Sequence, residues 1–200
     1  DVKWMSDFST GSWKQFRSYL ANVSDNYHQL DENLTFSNTE VKKNDYVSKR
    51  LPYPLEPGDI TAYEEIVSTL YDPLDRAKLE WAVGAIVAGD ARNIQKFLVL
   101  YGPAGSGKST YLNIIQRLFR DYCATFDAKS LTSSSNAFST EAFKDNPLVA
   151  IQHDGDLSKI EDNTKLNSIV SNEEILINEK YKPGYNARIN AFLFMGTNKP

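Results

Sequence analysis

The stretch from Phe97 to Thr110, FLVLYGPAGSGKST, constrains this chain more than any other. An apolar run, Phe97 to Tyr101, enters Gly102-Pro103-Ala104-Gly105-Ser106-Gly107-Lys108-Ser109, which meets every fixed position of the pattern GxxxxGK[ST]. An amphipathic pattern follows from Thr110 to Phe119, with Leu112, Ile115, Leu118 and Phe119 as its apolar stripe. Buried strand, tight loop and helix in that order predict an α/β fold built on a parallel central sheet.

The residue types in the loop carry a chemical expectation. Glycines let the backbone turn tightly, so that successive N–H groups face one concavity where phosphate oxygens can sit. The N-terminus of the next helix adds unsatisfied donors and a partial positive charge. Lys108 would bridge the outer phosphates and the Ser109 hydroxyl would complete a magnesium shell. Residues Gly102 through Thr110 are thus expected to bind a nucleoside triphosphate.

Composition narrows the rest. The 200 residues suit one domain, or one with an appendage, and 41% hydrophobic against 24% charged residues is a globular balance. A net charge of −4 excludes binding of polyanions by the whole surface, so any nucleic-acid contact must come from a local cluster of Lys and Arg. The single cysteine, Cys123, excludes a disulfide framework and suits a reducing cytoplasm, that of a host cell if the protein is viral. No run of apolar residues has transmembrane length, so no membrane partner is expected. The chain lacks an initiating methionine and stops directly after an apolar run, which reads as a segment of a longer polypeptide.

Residues 1–58 carry no recognisable chemistry and are expected to form a linker or collar, with Phe16, Tyr19 and Leu20 on a short helix; residues 59–200 form the core. Thr61-Ala62-Tyr63-Glu64 has the capping-box pattern and opens a helix to about Leu70. Asp72-Pro73 supplies an N-cap and first-turn proline for a second helix ending at Gly89, and its near-continuous apolar residues, Leu74, Ala77, Trp81, Ala85 and Val87 among them, predict burial. Beyond the glycine-rich loop, Tyr122–Phe126 and Pro147–Ile151 read as strands, Phe138–Phe143 and Lys165–Val170 as short helices. Glu174–Lys180 and Ala187–Phe194 flank a Pro-Gly turn as a β-hairpin, whose second arm runs on into Ala191–Met195 as another buried strand.

Three further groups carry candidate chemistry. Asp154 and Asp156 follow a buried strand, where acidic residues hold a magnesium shell and polarise the attacking water; which of the two is the base stays open. His153, with no second ligand at a useful spacing, reads as packing. Asn198 ends the last strand, where its amide would reach a γ-phosphate or the water, although an Asn before Lys-Pro is equally an ordinary turn residue. Lys180, Lys182 and Arg188 interleave with Tyr181 and Tyr185 around the hairpin turn, which suits single-stranded nucleic acid or a plain solvated tip.

From about Asp45 to Pro200 the chain resembles the superfamily 3 helicase domain of phage and poxvirus-type primase-helicases. The resemblance runs through Leu51-Pro-Tyr-Pro54, GPAGSGKST, VAIQHDGDL, KLNSIVSNEEILINEKYKPGYN and FLFMGTNKP. It implies an AAA+-like P-loop NTPase core with an N-terminal helical extension, and a ring-shaped homo-hexamer coupling ATP hydrolysis, with Mg2+, to unwinding of DNA in replication. It assigns Lys108 and Ser109 to phosphate and magnesium, Asp154 or Asp156 to the Walker B position and Asn198 to the sensor. The hairpin with Lys180, Lys182 and Arg188 becomes a loop gripping single-stranded DNA. Two departures stand out: His-Asp-Gly-Asp replaces the family's acidic pair, and no arginine finger follows the sensor within the segment. Two alternatives remain, a small-molecule kinase and a DNA-binding subunit without helicase activity. The kinase lacks its usual arginine-bearing lid, since residues 121–147 contain no arginine. The non-hydrolytic subunit does not explain Ser109 and the strand-end carboxylates.

Overall fold

A computed structural model describes residues 31–43, 45, 47–132, 136–156, 162–181 and 183–199, together with Trp13, Phe16 and Leu20. Its centre is a four-stranded parallel sheet, β3 (Leu98–Tyr101), β4 (Cys123–Thr125), β5 (Val149–Gln152) and β8 (Phe192–Thr197), in the order β3-β8-β5-β4. Two smaller pairs flank it: parallel β1 (Asp31–Thr35) with β2 (Val47–Arg50), and antiparallel β6 (Glu174–Ile177) with β7 (Tyr185–Arg188). The helices are α1 (Thr61–Leu70), α2 (Pro73–Val87), α3 (Ala91–Ile94), α4 (Lys108–Phe119), α5 (Ala128–Thr132) and α6 (Thr164–Val170).

Strand alternation sorts the sheet's side chains into two cores. Val149, Ile151, Phe192 and Phe194 face α2 and α4, meeting Leu79, Ala82, Ile86, Tyr111, Leu112, Ile115 and Phe119. Ala150, Leu193 and Met195 face the other way, toward α5, α6 and the β6–β7 hairpin. Every residue of β5 and β8 is buried, because each strand has a neighbour on both sides and a layer on both faces.

β3 departs from the buried-strand expectation. It lies at the sheet edge with β8 as its one partner in the sheet, so Leu100 is buried while Val99 and Tyr101 are exposed. The helix pair also departs in two respects. α2 buries Leu79, Ala82, Ala85 and Ile86 but leaves Leu74 and Trp81 in solvent, since it packs one face on the sheet layer. The capping box of α1 does not form. Asp59 instead accepts from the Thr61 N–H at 2.9 Å and the Thr61 hydroxyl at 2.6 Å, because Glu64 is engaged by Arg76 at 2.5 Å. The Arg76–Glu64 pair ties α2 to α1, and Arg76 also pairs with Glu80 one turn further along α2 at 2.6 Å. At α2 the expected cap holds: Asp72 accepts from Leu74 and Asp75 N–H, both at 2.9 Å, with Pro73 at the first helical position.

The β1–β2 pair has no counterpart in the sequence reading of residues 1–58. Neither DENLT nor VSKR alternates cleanly, so no strand period was visible. The chain after β2 packs on the core through Leu51, fully buried beside Phe36, and Tyr122 Oη accepts from the Arg50 N–H at 2.9 Å. Phe16 and Leu20 are helical, and Tyr19 lies outside the described residues. The hairpin is shifted from its expected register: β7 begins at Tyr185 and ends at Arg188, and β8 is a separate strand in the main sheet. Among the described residues no helix is long and apolar enough to cross a membrane.

Candidate functional site

Three neighbouring strands, β3, β8 and β5, run parallel and so present their carboxyl ends on one side of the sheet. The glycine-rich loop leaves β3 there, Asn198 follows β8, and His153-Asp154 follows β5. Backbone bonds lock these ends together. The Gly102 N–H donates to the Thr197 carbonyl at 3.3 Å, and the Gly155 N–H donates to the Gly196 carbonyl at 2.9 Å. Thr197, wholly buried, closes its own turn through the Lys199 N–H, which donates to its hydroxyl at 3.0 Å.

The loop itself is tight. Gly105 and Gly107 adopt left-handed φ values of 79° and 83°, which a side chain would strain. Gly107 ends the loop as the residue before α4, whose first turn opens on Lys108, Ser109 and Thr110. The Lys108 side chain is buried and folds back over the loop. Its ammonium donates to the Gly102 carbonyl at 2.6 Å, the Pro103 carbonyl at 2.8 Å and Ser106 Oγ at 3.3 Å.

A cavity of about 350 Å³ lies over this loop, lined by Leu70, Ala104 through Thr110, His153, Asp154 and Asn198. Strands far apart in sequence thus bring Lys108, Ser109, Asp154 and Asn198 to one place. Asp156 is not among the lining residues, nor are Gly102 and Pro103, which line a neighbouring cavity of about 420 Å³ between β3, α1 and α2. The two cavities share Leu70, Ser106 and Lys108. Sequence reasoning missed Leu70 and treated His153 as packing. His153 had a usable signal, its place beside Asp154 at a strand end; Leu70 had none, since its approach depends on how α1 lies.

Such a cavity offers an anion backbone N–H groups, a helix N-terminus of twelve residues and an ammonium. Ser109 and Asp154 supply one hydroxyl and one carboxylate to the same space. Among the described residues no three His, Cys, Asp or Glu side chains group to hold a metal alone. That donor set fits magnesium, which takes one or two protein ligands and completes its shell with phosphate and water.

The basic hairpin is elsewhere. Lys180 and Tyr181 are exposed at its tip, Tyr181 completely so, with φ at 64°. Arg188 lies 3.7 Å from Glu174 across the two strands, both well exposed. Lys182 lies outside the described residues. Burial pushes the Tyr185 phenol above its ordinary value, and its hydroxyl donates to the Lys144 carbonyl at 3.4 Å, anchoring the hairpin at its turn end, where Tyr185 pairs with Ile177.

Fold and site together define a mixed α/β protein with a central parallel sheet, of a kind compatible with phosphate-loop proteins. The chain belongs to a family described as "Family of unknown function (DUF5906)", whose profile matches residues 100–200. No curated protein matches it. Among solved structures it is similar to the apo A form of the C-terminal region of NrS-1, with a TM-score of 0.54 at 16% identity, over 68% of this chain and 33% of that one. A second apo structure of the same region gives a TM-score of 0.53 at 18% identity, over 68% and 34%. The chain therefore spans about a third of the neighbours it matches.

Proposed function

We propose that this chain is the ATP-hydrolysing segment of a superfamily 3-type DNA helicase, of the primase-helicase kind its motifs resemble. The observation that carries this reading is the single cavity lined by the glycine-rich loop, Ser109, Asp154 and Asn198. Lys108 would exchange its three loop acceptors for phosphate oxygens, to which its charge is better matched. Ser109 and Asp154 would hold the magnesium that accompanies the triphosphate, an ion that neutralises charge on the phosphates. Asp154 would also orient the attacking water, and Asn198 would sense the γ-phosphate from the neighbouring strand. Lys180, Lys182 and Arg188 would contact single-stranded DNA in a homo-hexameric ring, where a weak loop contact is repeated around a pore.

The test is ATP hydrolysis by the full-length protein with and without single-stranded DNA. Stimulation by DNA supports the helicase. Phosphoryl transfer to a nucleoside would support a kinase instead, and absence of any ATP turnover would sink the reading.

A further inference from the structure

The junction between α1 and α2 is built against the glycine-rich loop. The Tyr71 hydroxyl donates to the Gly107 carbonyl at 3.1 Å. That oxygen also accepts the first helical bond of α4, from the Tyr111 N–H at 3.0 Å. The Tyr71 ring meets the Tyr111 ring edge-on, centroids 5.7 Å apart and planes at 78°. Leu70 covers the same turn so closely that a Cβ on Gly107 would stand 2.6 Å from its Cδ2.

We propose that Tyr71 is a positioning residue for polyphosphate binding: its hydroxyl holds the Gly107–Lys108 peptide so that the Lys108 N–H faces the cavity. The inference rests on reading that cavity as a nucleoside triphosphate site. In a trans peptide the C=O and N–H point in opposite directions, so a donor fixing the Gly107 oxygen from outside fixes the N–H inside. A second donor on that oxygen also polarises the amide and strengthens the N–H as a donor to phosphate. Gly107 has no Cβ and a φ of 83°, so its flanking peptides turn at little cost; the Tyr71 bond, added to the helical bond from Tyr111, narrows that freedom before any ligand arrives.

The hydroxyl is itself well held. Arg76 bridges Glu64 on α1 and Glu80 on α2, and the Tyr63 hydroxyl donates to Glu80 at 3.2 Å, so the helix pair that carries Tyr71 is braced beside α4. A phenol is protonated at neutral pH and so available as a donor, and burial pushes that of Tyr71 further above its ordinary value. Leu70 packs its side chain against Gly107 where the two cavities meet, which fills the space beside that peptide.

Tyr71→Phe removes one oxygen and keeps the ring against Tyr111. The experiment titrates Mg-tripolyphosphate and MgATP by calorimetry into the full-length protein, with kcat and KM for hydrolysis and the ligand-free thermal midpoint measured alongside. Both dissociation constants should rise by one common factor, roughly three- to tenfold, as for one lost hydrogen bond. KM should rise with them, kcat should stay within about twofold, and the midpoint should barely move, since Gly107 keeps its bond from Tyr111. Tripolyphosphate binding unchanged in the variant would overturn the proposal, as would a loss confined to ATP, which would make Tyr71 a nucleoside contact. Failure of the unaltered protein to bind either compound would overturn the triphosphate reading and Tyr71's role with it. An unaltered protein that binds both, with an indifferent variant, would overturn Tyr71's role alone.

Discussion

No side chain fits at Gly196, because the His153 carbonyl oxygen lies 2.3 Å from where its Cβ would be. The end of β5 is laid directly across β8, and the Gly155 N–H bonds the Gly196 carbonyl to keep it there. Asp154 hangs between those two contacts. Gly196→Ala must therefore push residues 153–155 off the strand, at a cost of about 1–3 kcal/mol for a backbone shift. A thermal midpoint lower by several degrees and ATP hydrolysis reduced at least tenfold are expected. Wild-type turnover in this variant would show that the β5 end need not lie where it does.

Lys108→Ala should abolish turnover, reducing it by at least about a hundredfold through loss of the charge on the phosphates. It should also destabilise the ligand-free protein. The ammonium satisfies the carbonyl of buried Gly102, and leaving it without that donor costs about 1–3 kcal/mol, whereas the Pro103 carbonyl keeps its bond from the Ser106 N–H. Hydrolysis and the thermal midpoint should be read on the same sample. Turnover within about threefold of wild type contradicts the assignment.

Asp154 and Asp156 should separate cleanly. Asp154 lines the cavity with Ser109, and Asp156 does not. Asp154→Asn should lower hydrolysis by about a hundredfold or more while MgATP still binds; Asp156→Asn should change it by less than about fivefold. The comparison needs both rates and both dissociation constants. Equal effects at the two positions would mean that β5 has been given the wrong role.

For the hairpin, charge changes of opposite sign should act oppositely. Arg188 and Glu174 are exposed partners at 3.7 Å, a spacing that commits neither strongly. Arg188→Ala should weaken single-stranded DNA binding and flatten its salt dependence by about 0.7 in log–log slope for one lost phosphate contact. Glu174→Gln should tighten binding by freeing Arg188. Basal hydrolysis should persist in both, since the cavity over the loop is untouched. Salt slopes identical to wild type in both variants would place the DNA contact elsewhere.

The place of the glycine-rich loop between strand and helix was legible because its pattern is local: a fixed spacing of Gly, Lys and Ser between two periodic segments. The main-sheet strands were legible as apolar runs, and Phe192 to Met195 reads as buried because it is buried on both faces. What the sequence did not carry was position within the sheet. Phe97 to Tyr101 has the same apolar character as β8, yet the edge location leaves Val99 and Tyr101 in solvent. The capping box at Thr61 failed for a related reason, since a tertiary partner, Arg76, outbids the helix end for Glu64. Which of Asp154 and Asp156 lines the cavity depends on two residues of loop path over Gly196, which no motif encodes. Tyr71 left no local trace, because its hydroxyl reaches a carbonyl on another element, at Gly107.

The order β3-β8-β5-β4 sets a timetable for synthesis. β3 leaves the ribosome before β4 and β5, but its partner in the sheet is β8, the last of the described strands to be made. Until Phe192–Thr197 emerges, the apolar segment leading into the glycine-rich loop has no ladder to join, and Gly102 has no Thr197 carbonyl to bond. Parallel pairing across such a separation is slow, and the waiting strand is a surface for chaperones or misassembly. A nascent chain arrested before Phe192 should therefore fail to retain nucleotide, and extending the same chain through Asn198 should restore it. The cavity over the glycine-rich loop takes shape in one step, when the sheet closes.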